Sequence, residues 1–466
     1  MEVNENLSID SGEEELFTPE LFLTLVRERR YQEIKRRAVD LPAPDLADFF
    51  DGIPTNTHPL LFRLLAKEQA AEVFVEMDTD DRRRLIETFT DKELSDVLSE
   101  LYVDDTVDLV EEMPASVVKR ILKSTSKQDR EDINRILNYP RSSAGSVMTT
   151  EYVRFSKDMT VAAALAHIRH VAIDKETIYT CYVTDSGKHL IGIVTAKDLL
   201  LAEYDTLLAD IMDEGVISVL TTDDREEVAR KLDKYGFLAM PVTDSENRLV
   251  GIITVDDAIE VLKEESEADF AKMAAITPSE TPYLKTSVFS IWKSRIPWLL
   301  LLMVSATLSS TILSGFEAAL PAVLILFVPM LMDTSGNSGG QSSVTVTRGI
   351  SLMEIRFPDI GRVLLKELSV GLMCGTSLGA VAFLKVIVVD RLLMQNDAVT
   401  LRVALAVSLA LLISVVVAKL IGSSLPILAH KVGLDPAVMA SPIITTAVDA
   451  IALLLYFFIS SNILIM

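Results

Sequence analysis

Residues 329–348, PMLMDTSGNSGGQSSVTVTR, decide the fold class of this chain. They follow an apolar run, Ala318 to Val328, that cannot cross a bilayer alone, because a spanning helix needs about 20 apolar residues. A polar, glycine-rich backbone is tolerated at membrane depth only where protein buries it or where it lines a watery cavity. Broken helices of this kind often carry the substrate site of a transporter. The sequence therefore predicts a membrane span with a polar break; the alternative is a span that ends at Met332 and is followed by a loop.

A second apolar stretch, residues 438–466, contains one ionisable residue, Asp449. Asp449 lies roughly 16 Å along a helix from Val438, near the middle of a hydrocarbon core about 30 Å thick. A lone carboxylate there costs at least about 2.5 kcal/mol and usually faces a cavity or an ion path. A protonated structural aspartate and a proton-relay group are the alternatives. We favour an ion ligand, because the polar stretch at 329–348 needs something to face.

Charge is distributed unequally along the chain. Residues 1–290 carry 58 acidic and 33 basic side chains, whereas residues 291–466 carry 9 and 11, which indicates an acidic soluble half and an apolar membrane half. The acidic half argues against nucleic acid as a partner, since nucleic acid requires basic surface, and it suits cations. The acidic start, residues 1–16, predicts a disordered leader rather than a signal peptide. The two cysteines form no disulfide framework or zinc motif.

A 12-residue repeat runs from Asp78 to about Lys123. Each unit begins with a capping residue or proline and continues with apolar pairs, which is typical of a short helix. Short helices cannot bury their faces alone, so residues 17–139 are predicted to form an all-α superhelical repeat domain; a plain helical bundle is the alternative. One unit begins with an acidic cluster, which usually is a helix cap and a solvated face, with divalent-ion binding as the alternative: Asp104, Asp105 and Asp108.

A second repeat has an offset of 59 residues. Nine of 16 positions are identical between VTDSGKHLIGIVTAKD, at 183–198, and VTDSENRLVGIITVDD, at 242–257. Each copy indicates a strand, a turn, a strand and the start of a helix. The duplicated endings resemble a tandem pair of α/β cystathionine-β-synthase (CBS) domains, expected at residues 140–203 and 204–261. The resemblance implies a regulatory module that dimerises and binds nucleotides or ions, with an adenine nucleotide as a candidate ligand.

The membrane half is predicted to have five spans and to be joined to the CBS pair by an acidic connecting helix at residues 262–290. On sequence alone this helix is a solvated linker. Basic residues cluster on one side of the spans, so the positive-inside rule predicts a cytoplasmic acidic half, a cytoplasmic loop at Asp435 and an outside C-terminus. Gly371, Gly375 and Gly379 have the spacing of close helix packing. The predicted membrane domain comprises residues 291–466, with spans at 296–313, 318 to about 341, 362–389, 401–429 and 438 to about 465.

This order of elements resembles the MgtE family of magnesium channels and transporters over nearly the whole chain, through the motifs PMLMDTSGNSGGQSS…TRG and LDPAVMASPIITTAVD. The resemblance implies a homodimer in the lipid of the cell (inner) membrane, with a Mg²⁺ pore lined by the second and fifth spans. It implies that Asp449 selects the ion. Because Mg²⁺ loses water reluctantly, one carboxylate among backbone carbonyls can hold the ion with its water shell. The other positions that match the family's pore wall are Gly336, Asn337, Ser441 and Thr445.

Two positions depart from the commoner family pattern. Gly340 stands where many members have asparagine. Asp333 stands where some have glycine, which adds a second candidate carboxylate to the pore. Both departures concern how the ion is coordinated rather than the family itself.

The resemblance also implies a cytosolic Mg²⁺ sensor built from acids of the helical domain, the second CBS domain, the connecting helix and a membrane loop. At low Mg²⁺ such carboxylates repel one another and the soluble domains swing apart. Divalent ions cancel the repulsion and lock the connecting helices against the pore, so that high internal Mg²⁺ closes the path. The matching positions are Asp104, Asp108, Asp257, Glu260, Glu265, Asp269 and Asp435.

Three other functions compete with this interpretation. A membrane-anchored nucleotide sensor would need neither Asp449 nor the polar stretch. An enzyme is not expected, because we find no nucleophile–base arrangement, P-loop or dinucleotide-binding glycine motif in the sequence. A carrier for Co²⁺, Ni²⁺ or Mn²⁺, or a transporter coupled to protons or Na⁺, is the third alternative, and it would use the same residues.

Overall fold

A computed structural model describes residues 17–279, 283–317, 321–438 and 441–465 of the 466-residue chain. The chain divides into two compact units, residues 1–262 and 263–466. The leader predicted at residues 1–16 lies outside the described residues.

A stack of short helices begins the first unit. From Pro19 to Lys127 a helix begins every 12 residues, the one at Thr55 being a 3₁₀ turn. The predicted repeat is therefore confirmed, and it extends further towards the N-terminus than its sequence signal. Apolar side chains from successive helices share one core, in which Phe22 and Ile34 are fully buried. The helices are α1 (Pro19–Arg27), α2 (Tyr31–Val39), α3 (Ala43–Asp51), α4 (His58–Phe62), α5 (Lys67–Glu76), α6 (Thr79–Thr88), α7 (Asp91–Leu98), α8 (Val103–Glu112), α9 (Ala115–Ser124) and α10 (Lys127–Ile136).

Two copies of a small α/β motif follow the helical stack. Their elements are β1 (Tyr152–Ser156), α11 (Val161–Val171), β2 (Thr177–Thr184), β3 (Leu190–Thr195), α12 (Ala196–Leu201), α13 (Leu208–Ile211), β4 (Val219–Leu220), α14 (Arg225–Tyr235), β5 (Ala239–Thr243), β6 (Leu249–Thr254) and α15 (Val255–Met273). In each sheet the middle strand, β2 or β5, pairs in parallel with the strand before it and antiparallel with the strand after it.

The sequence duplication is also a duplication in space. The N–H of Leu190 donates to the carbonyl of Asn247, and the N–H of Leu249 donates to the carbonyl of Lys188, both at 3.0 Å. The 59-residue offset relates Leu190 to Leu249 and Lys188 to Asn247, so each hydrogen bond is the counterpart of the other. The two repeats are therefore related by an approximate two-fold axis, as a tandem domain pair.

Helix α15 begins directly after β6, so it starts before the predicted connecting helix of residues 262–290. Thr254 lies at the start of the helix, where its N–H donates to the Asp257 carboxylate at 3.3 Å and its hydroxyl bonds the same oxygen. The helix ends at Met273, and the next one begins at Val288. The sequence concealed this start because the strand and the helix share the run GIITVDD.

Five long helices form most of the second unit. Four of the described helices are long and apolar enough to cross a membrane: Val288–Phe316, Phe357–Leu393, Leu401–Lys431 and Ile443–Leu464. The fifth, which carries the polar motif, has 24 residues but is not among them. The elements are α16 (Val288–Glu317), a 3₁₀ helix (Ala322–Phe327), α17 (Val328–Ser351), α18 (Ile360–Lys385) with a π-helical extension (Val386–Leu393), α19 (Leu401–Lys431) and α20 (Ser441–Ile465).

The polar stretch at 329–348 is a continuous α-helix, so the predicted break within it is wrong. Helix α17 has Pro329 in its first turn, where proline lacks no helical hydrogen bond. A helix satisfies its backbone groups internally, which a polar sequence at membrane depth needs as much as an apolar one. The irregular backbone lies before the polar stretch, in the 3₁₀ helix Ala322–Phe327.

Glycines allow α18 and α19 to approach closely, as their spacing predicts. A Cβ atom on Gly375 would lie 2.8 Å from the carbonyl oxygen of Leu412. At Gly371 and Gly379 it would lie 3.2 and 3.1 Å from backbone atoms of α19. Any larger residue would push the helices apart at these three points, so the small-residue prediction is confirmed.

Candidate ion pathway and acid groups

Helix α20 carries Asp449, the carboxylate predicted to bind the transported ion. The side chain is half-buried, and its Oδ1 is buried without a hydrogen-bond donor among the described residues. Thr445 lies one turn earlier on the same face and is also half-buried. Ser441 begins the helix, but its side chain lies outside the described residues. A buried carboxylate oxygen without a donor is costly unless a cation or water satisfies it.

Gly336 of α17 is packed directly against this carboxylate. A Cβ atom there would lie 2.8 Å from Cγ2 of Thr445 and 3.2 Å from Oδ1 of Asp449. One turn further, a Cβ on Gly339 would lie 3.0 Å from Cγ2 of Val448. Glycine therefore keeps the α17 backbone within reach of the carboxylate, and the structure brings three of the predicted pore residues together.

A polar stripe on α17 is exposed in the single chain. It consists of Asp333, Asn337 and Gln341, which are spaced four residues apart and so lie on one side of the helix. The Asp333 carboxylate is close enough to Asp449 to repel it electrostatically. Polar and charged side chains inside a membrane almost always face protein or a watery cavity. Gly340 is buried instead.

Acids from three segments converge in the first unit. Asp257, at the start of α15, acts electrostatically on acids of α8 and on Glu176, just before β2. Sequence reasoning assigned four of these acids to a Mg²⁺ sensor. It treated Asp105 as part of a helix cap and solvated face, with divalent-ion binding as the alternative, and it did not identify Glu176. We call the set the interdomain acid group: Asp104, Asp105, Asp108, Glu176, Asp257 and Glu260.

The centre of this group holds protons unusually tightly. Burial, together with Asp257 and Glu260, raises the pKa of Asp105 to about 7. Burial, with Asp257 and Asp105, raises the pKa of Glu176 to about 8, and its Oε2 is a buried atom without a hydrogen-bond partner among the described residues. Burial and Asp257 also raise the pKa of Asp104 well above its usual range. Such crowding of like charges favours protonation or a bound cation.

The edge of the group is open to solvent. Asp108 and Glu260 are both exposed. Burial of its inner side, with Glu260 and Asp257, raises the pKa of Asp108 to about 7 although the side chain still reaches water. A hydrated cation can therefore approach the carboxylates, whose oxygens are the ligands that Mg²⁺ prefers.

Asp257 also has a structural role. It accepts hydrogen bonds from the hydroxyl and N–H of Thr254. In the first repeat, Asp198 accepts the same two bonds from Thr195. Helix capping therefore explains an aspartate at this position. It does not require the neighbouring acids of α8.

A second set of predicted sensor residues meets in the second unit, and we call it the helix-end acid group: Glu265, Asp269 and Asp435. Ser351 Oγ donates to Asp269 Oδ2 at 3.0 Å. Lys272 Nζ lies 2.7 Å from Asp435 Oδ2. Burial raises the pKa of Asp269; the Ser351 bond opposes the rise, Asp435 and Glu265 add to it, and Lys272 again opposes it.

Sequence reasoning missed Glu176 and Lys272 for different reasons. Under the 59-residue offset, Glu176 falls opposite Tyr235, so the repeat comparison gave no signal. Lys272 is a basic residue in the last turn of a helix, which is common without any further role. Only the three-dimensional packing brings these residues to the acids.

Comparison with known protein families agrees with this architecture. Three family models match the chain: a divalent cation transporter family (MgtE) at residues 328–459, the MgtE intracellular N domain at 41–142, and the CBS domain at 144–205 and 208–264. The solved soluble part of a magnesium transporter is similar to 53% of this chain and 97% of its own length, with a TM-score of 0.50 and 32% identity.

Relatives of similar length cover nearly the whole chain. Magnesium transporter MgtE of Thermus thermophilus is 34% identical over 418 residues, which are 88% of this chain and 91% of the relative. Magnesium transporter MgtE of Enterococcus faecalis is 31% identical over 445 residues, or 95% and 96% of the two chains. This chain therefore belongs to the MgtE family of divalent cation transporters, and not to a family of enzymes.

Proposed function

We propose that this chain conducts Mg²⁺ across the cell membrane and that rising cytosolic Mg²⁺ closes the path. One observation carries the proposal: Asp449, a carboxylate in an apolar helix, has a bare buried oxygen against the backbone of Gly336. The relatives named as magnesium transporters support Mg²⁺ as the ion.

The chemistry of the site suits a hydrated ion. Mg²⁺ requires oxygen ligands at about 2.0–2.1 Å in octahedral geometry and usually keeps several waters. Asp449 supplies one strong negative ligand. The Thr445 hydroxyl can donate hydrogen bonds to the retained waters or accept them, and the carbonyls near Gly336 can accept hydrogen bonds from these waters. Asp333 adds a second negative charge, which attracts cations and repels anions.

We propose that the path forms between two copies of this chain. The polar stripe of Asp333, Asn337 and Gln341 is exposed in one chain. Facing lipid, it would leave polar and charged groups in hydrocarbon, which is strongly unfavourable. Facing its counterpart in a homodimer, it would line a watery path beside Asp449.

Gating follows from the two acid groups. At low Mg²⁺ the carboxylates of the interdomain acid group repel one another, which favours separation of the helical stack from the CBS pair. Divalent ions that bind the packed arrangement better shift the population towards it. The helix-end acid group would respond in the same sense, because Asp269 bonds Ser351 at the end of α17. Packed domains then correspond to the closed path.

The proposed orientation has the acidic N-terminal half in the cytoplasm and the C-terminus outside. Its support is the basic residues that cluster on one side of the spans. Labelling of single introduced cysteines at 158 and at 397 with a membrane-impermeant reagent in intact cells tests this orientation. The reagent should reach only position 397; labelling at 158 contradicts it.

An adenine nucleotide at the CBS pair remains a prediction from the domain resemblance. Equilibrium dialysis of the full chain against ATP, with and without Mg²⁺, tests it directly. ATP binding that AMP displaces and GTP does not displace supports an adenine site. Absence of ATP binding at millimolar ATP contradicts it.

The main test replaces Asp449 with alanine in protein reconstituted into liposomes. Mg²⁺ uptake should be abolished, while the variant should remain folded and elute like the unmodified protein. A matched control is Asp397→Asn, because Asp397 is an exposed acid outside the membrane helices; its uptake should be normal. Normal uptake by Asp449→Ala would mean that Asp449 does not bind the transported ion, and it would contradict the proposed path.

The alternative is a carrier for another divalent cation. The same liposomes decide it through competition of Mg²⁺ uptake by Co²⁺, Ni²⁺, Mn²⁺ and Ca²⁺. Preferential uptake of one of these ions over Mg²⁺ would assign a different substrate to the same site. Uptake that requires a proton or Na⁺ gradient would indicate a coupled transporter.

A further inference from the structure

Lys419 is a buried cation in a membrane helix, and the ion pathway described above does not use it. It lies in the interior of α19 and is 5% exposed. Charged residues in membrane spans are costly and are retained where they pair or serve a function. The surroundings of Lys419 therefore need an explanation.

A short chain of hydrogen bonds joins Lys419 to two neighbouring helices. Its Nζ donates to Oγ of Ser342 on α17 at 3.3 Å. The Ser342 hydroxyl donates to Oε2 of Glu367 on α18 at 2.6 Å. Ser342 is 2% exposed, so its hydroxyl bridges the cation and the carboxylate inside the protein.

The glycines around Lys419 make room for this arrangement. A Cβ on Gly371 of α18 would lie 3.6 Å from Cδ of Lys419 and closer still to the α19 backbone. On the other side, a Cβ on Gly422 of α19 would overlap the carbonyl of Gly339 of α17. This contact lies one turn from the Ser342–Lys419 bond on both helices. Three helices therefore meet closely at the point where the lysine is held.

We propose that Lys419 is a positioning residue for the ion pathway: through Ser342 and Glu367 it fixes the rotation of α17. This proposal rests on the proposed function, in which α17 lines the Mg²⁺ path. At 100° per residue, Ser342 points roughly 140° away from Asn337 and about 180° away from Asp333. Holding Ser342 against α19 thus turns Asp333 and Asn337 to the opposite side, with Gln341 about 100° away from Ser342.

The composition of α17 explains why its rotation needs a specific hydrogen bond. Its buried face is mostly glycine and serine, including Ser335, Ser338 and Gly339. Such small side chains allow close approach but provide few large protrusions that would resist rotation. A hydrogen bond to a fixed buried charge resists rotation, since losing it leaves an unpaired ion in a dry environment.

The first test measures rotation and does not depend on ion flux. Single cysteines are introduced at Asn337, which is exposed, and at Ser338, which is buried, in a full-length chain in which Cys181 and Cys374 are serine. A small water-soluble thiol reagent should modify position 337 much faster than 338. In Lys419→Met the difference should fall roughly tenfold or more, the scale of one membrane hydrogen bond to a buried polar group.

The second test uses charge compensation in liposomes. Lys419→Met leaves Glu367 without its cation, and Mg²⁺ uptake should fall by about tenfold. Lys419→Met combined with Glu367→Gln removes both charges but does not restore the hydrogen bond from α19 to Ser342, so uptake should stay low; recovery would overturn the proposal, because the unpaired charge alone would then explain the loss. Lys385→Met is the matched control, because Lys385 also pairs with a carboxylate, Asp390 at 2.9 Å, but is exposed; it should have no effect.

The outcomes separate this proposal from the proposed function. If the unmodified protein transports no Mg²⁺, the function fails, but the cysteine pattern still tests the proposed role of Lys419. The proposed role of Lys419 is overturned if Lys419→Met changes neither the relative rates of thiol modification at positions 337 and 338 nor the uptake of Mg²⁺. If Lys419→Met does not fold, Ser342→Ala decides: the proposed role predicts an altered cysteine pattern, and an unaltered pattern overturns it.

Discussion

Packing of the helical stack on the CBS pair should depend on pH when divalent ions are absent. Burial, Asp257 and Glu260 raise the pKa of Asp105 from 3.8 to about 7 in the packed arrangement, and Arg82 only partly opposes them. Once the stack moves away, this pKa should return to its ordinary value. The packed form therefore binds a proton that the open form releases. By linkage, packing is fully favoured below about pH 4 and is weakened progressively as the pH rises through 7.

The size of the effect follows from the shift. About three pKa units correspond to roughly 4 kcal/mol above pH 8, and about half of that at pH 5.5. This is an upper bound for Asp105, since the edge of the group reaches water. Glu176, raised to about 8, shares the same neighbours, so its contribution overlaps that of Asp105. Asp105→Asn should remove this penalty and keep the domains packed at high pH.

The assay is the distance between spin labels at positions 100 and 246, measured by pulsed electron resonance. Both positions are exposed, one on the helical stack and one in the second CBS domain. Labelled full-length chains are diluted with unlabelled chains in lipid nanodiscs, so that only intramolecular distances count. In EDTA the unmodified protein should open between about pH 6 and 8. Saturating Mg²⁺ should keep it packed throughout.

Asp105→Asn should move the opening to higher pH, whereas Asp45→Asn, at an exposed acid near the start of α3, should not. The reasoning is refuted if the Asp105 variant opens at the same pH as the unmodified protein. It is also refuted if EDTA leaves the distance unchanged from pH 5.5 to 8.5.

Three further predictions concern the path and its control. Asp333→Gly should weaken competition among divalent ions in uptake assays without abolishing flux; unchanged competition means that Asp333 does not face the path. Gly336→Ala should reduce Mg²⁺ uptake, because the new Cβ would lie 2.8 Å from Thr445, whereas Gly315→Ala, with open space around it, should not. Neutralising the acid groups should leave flux running at millimolar internal Mg²⁺ and abolish the Mg²⁺ response of protease protection; normal closure would mean that the sensor lies elsewhere. The substitutions are Asp257→Asn, Glu260→Gln, Glu265→Gln and Asp269→Asn.

Local patterns allowed much of the fold to be predicted. The 12-residue repeat predicted the helical stack, because each short helix carries its own start signal and apolar pair. The 59-residue offset predicted the duplicated sheets, because nine identities in 16 positions preserve both the turn and the strand alternation. Long apolar runs and the spacing of Gly371, Gly375 and Gly379 predicted the membrane helices and their close contact.

The polar stretch at 329–348 is where this reasoning failed. Side-chain polarity indicated an irregular backbone, but α17 is helical throughout. Backbone hydrogen bonding at membrane depth must be satisfied whatever the side chains are. The sequence alone could therefore identify the residues beside Asp449 but not the geometry that brings Gly336 to it.

The sequence by itself determined which residue types the chain has for binding cations, and roughly on which elements they lie. Only the tertiary structure decided which of them meet. Glu176 joins the acids of α8, Lys272 pairs with Asp435, and Lys419 reaches Glu367 through Ser342. These partners are separated by tens to well over a hundred residues. Periodicity and capping act over one or two helical turns, whereas burial and charge pairing depend on which surfaces the folded chain brings into contact.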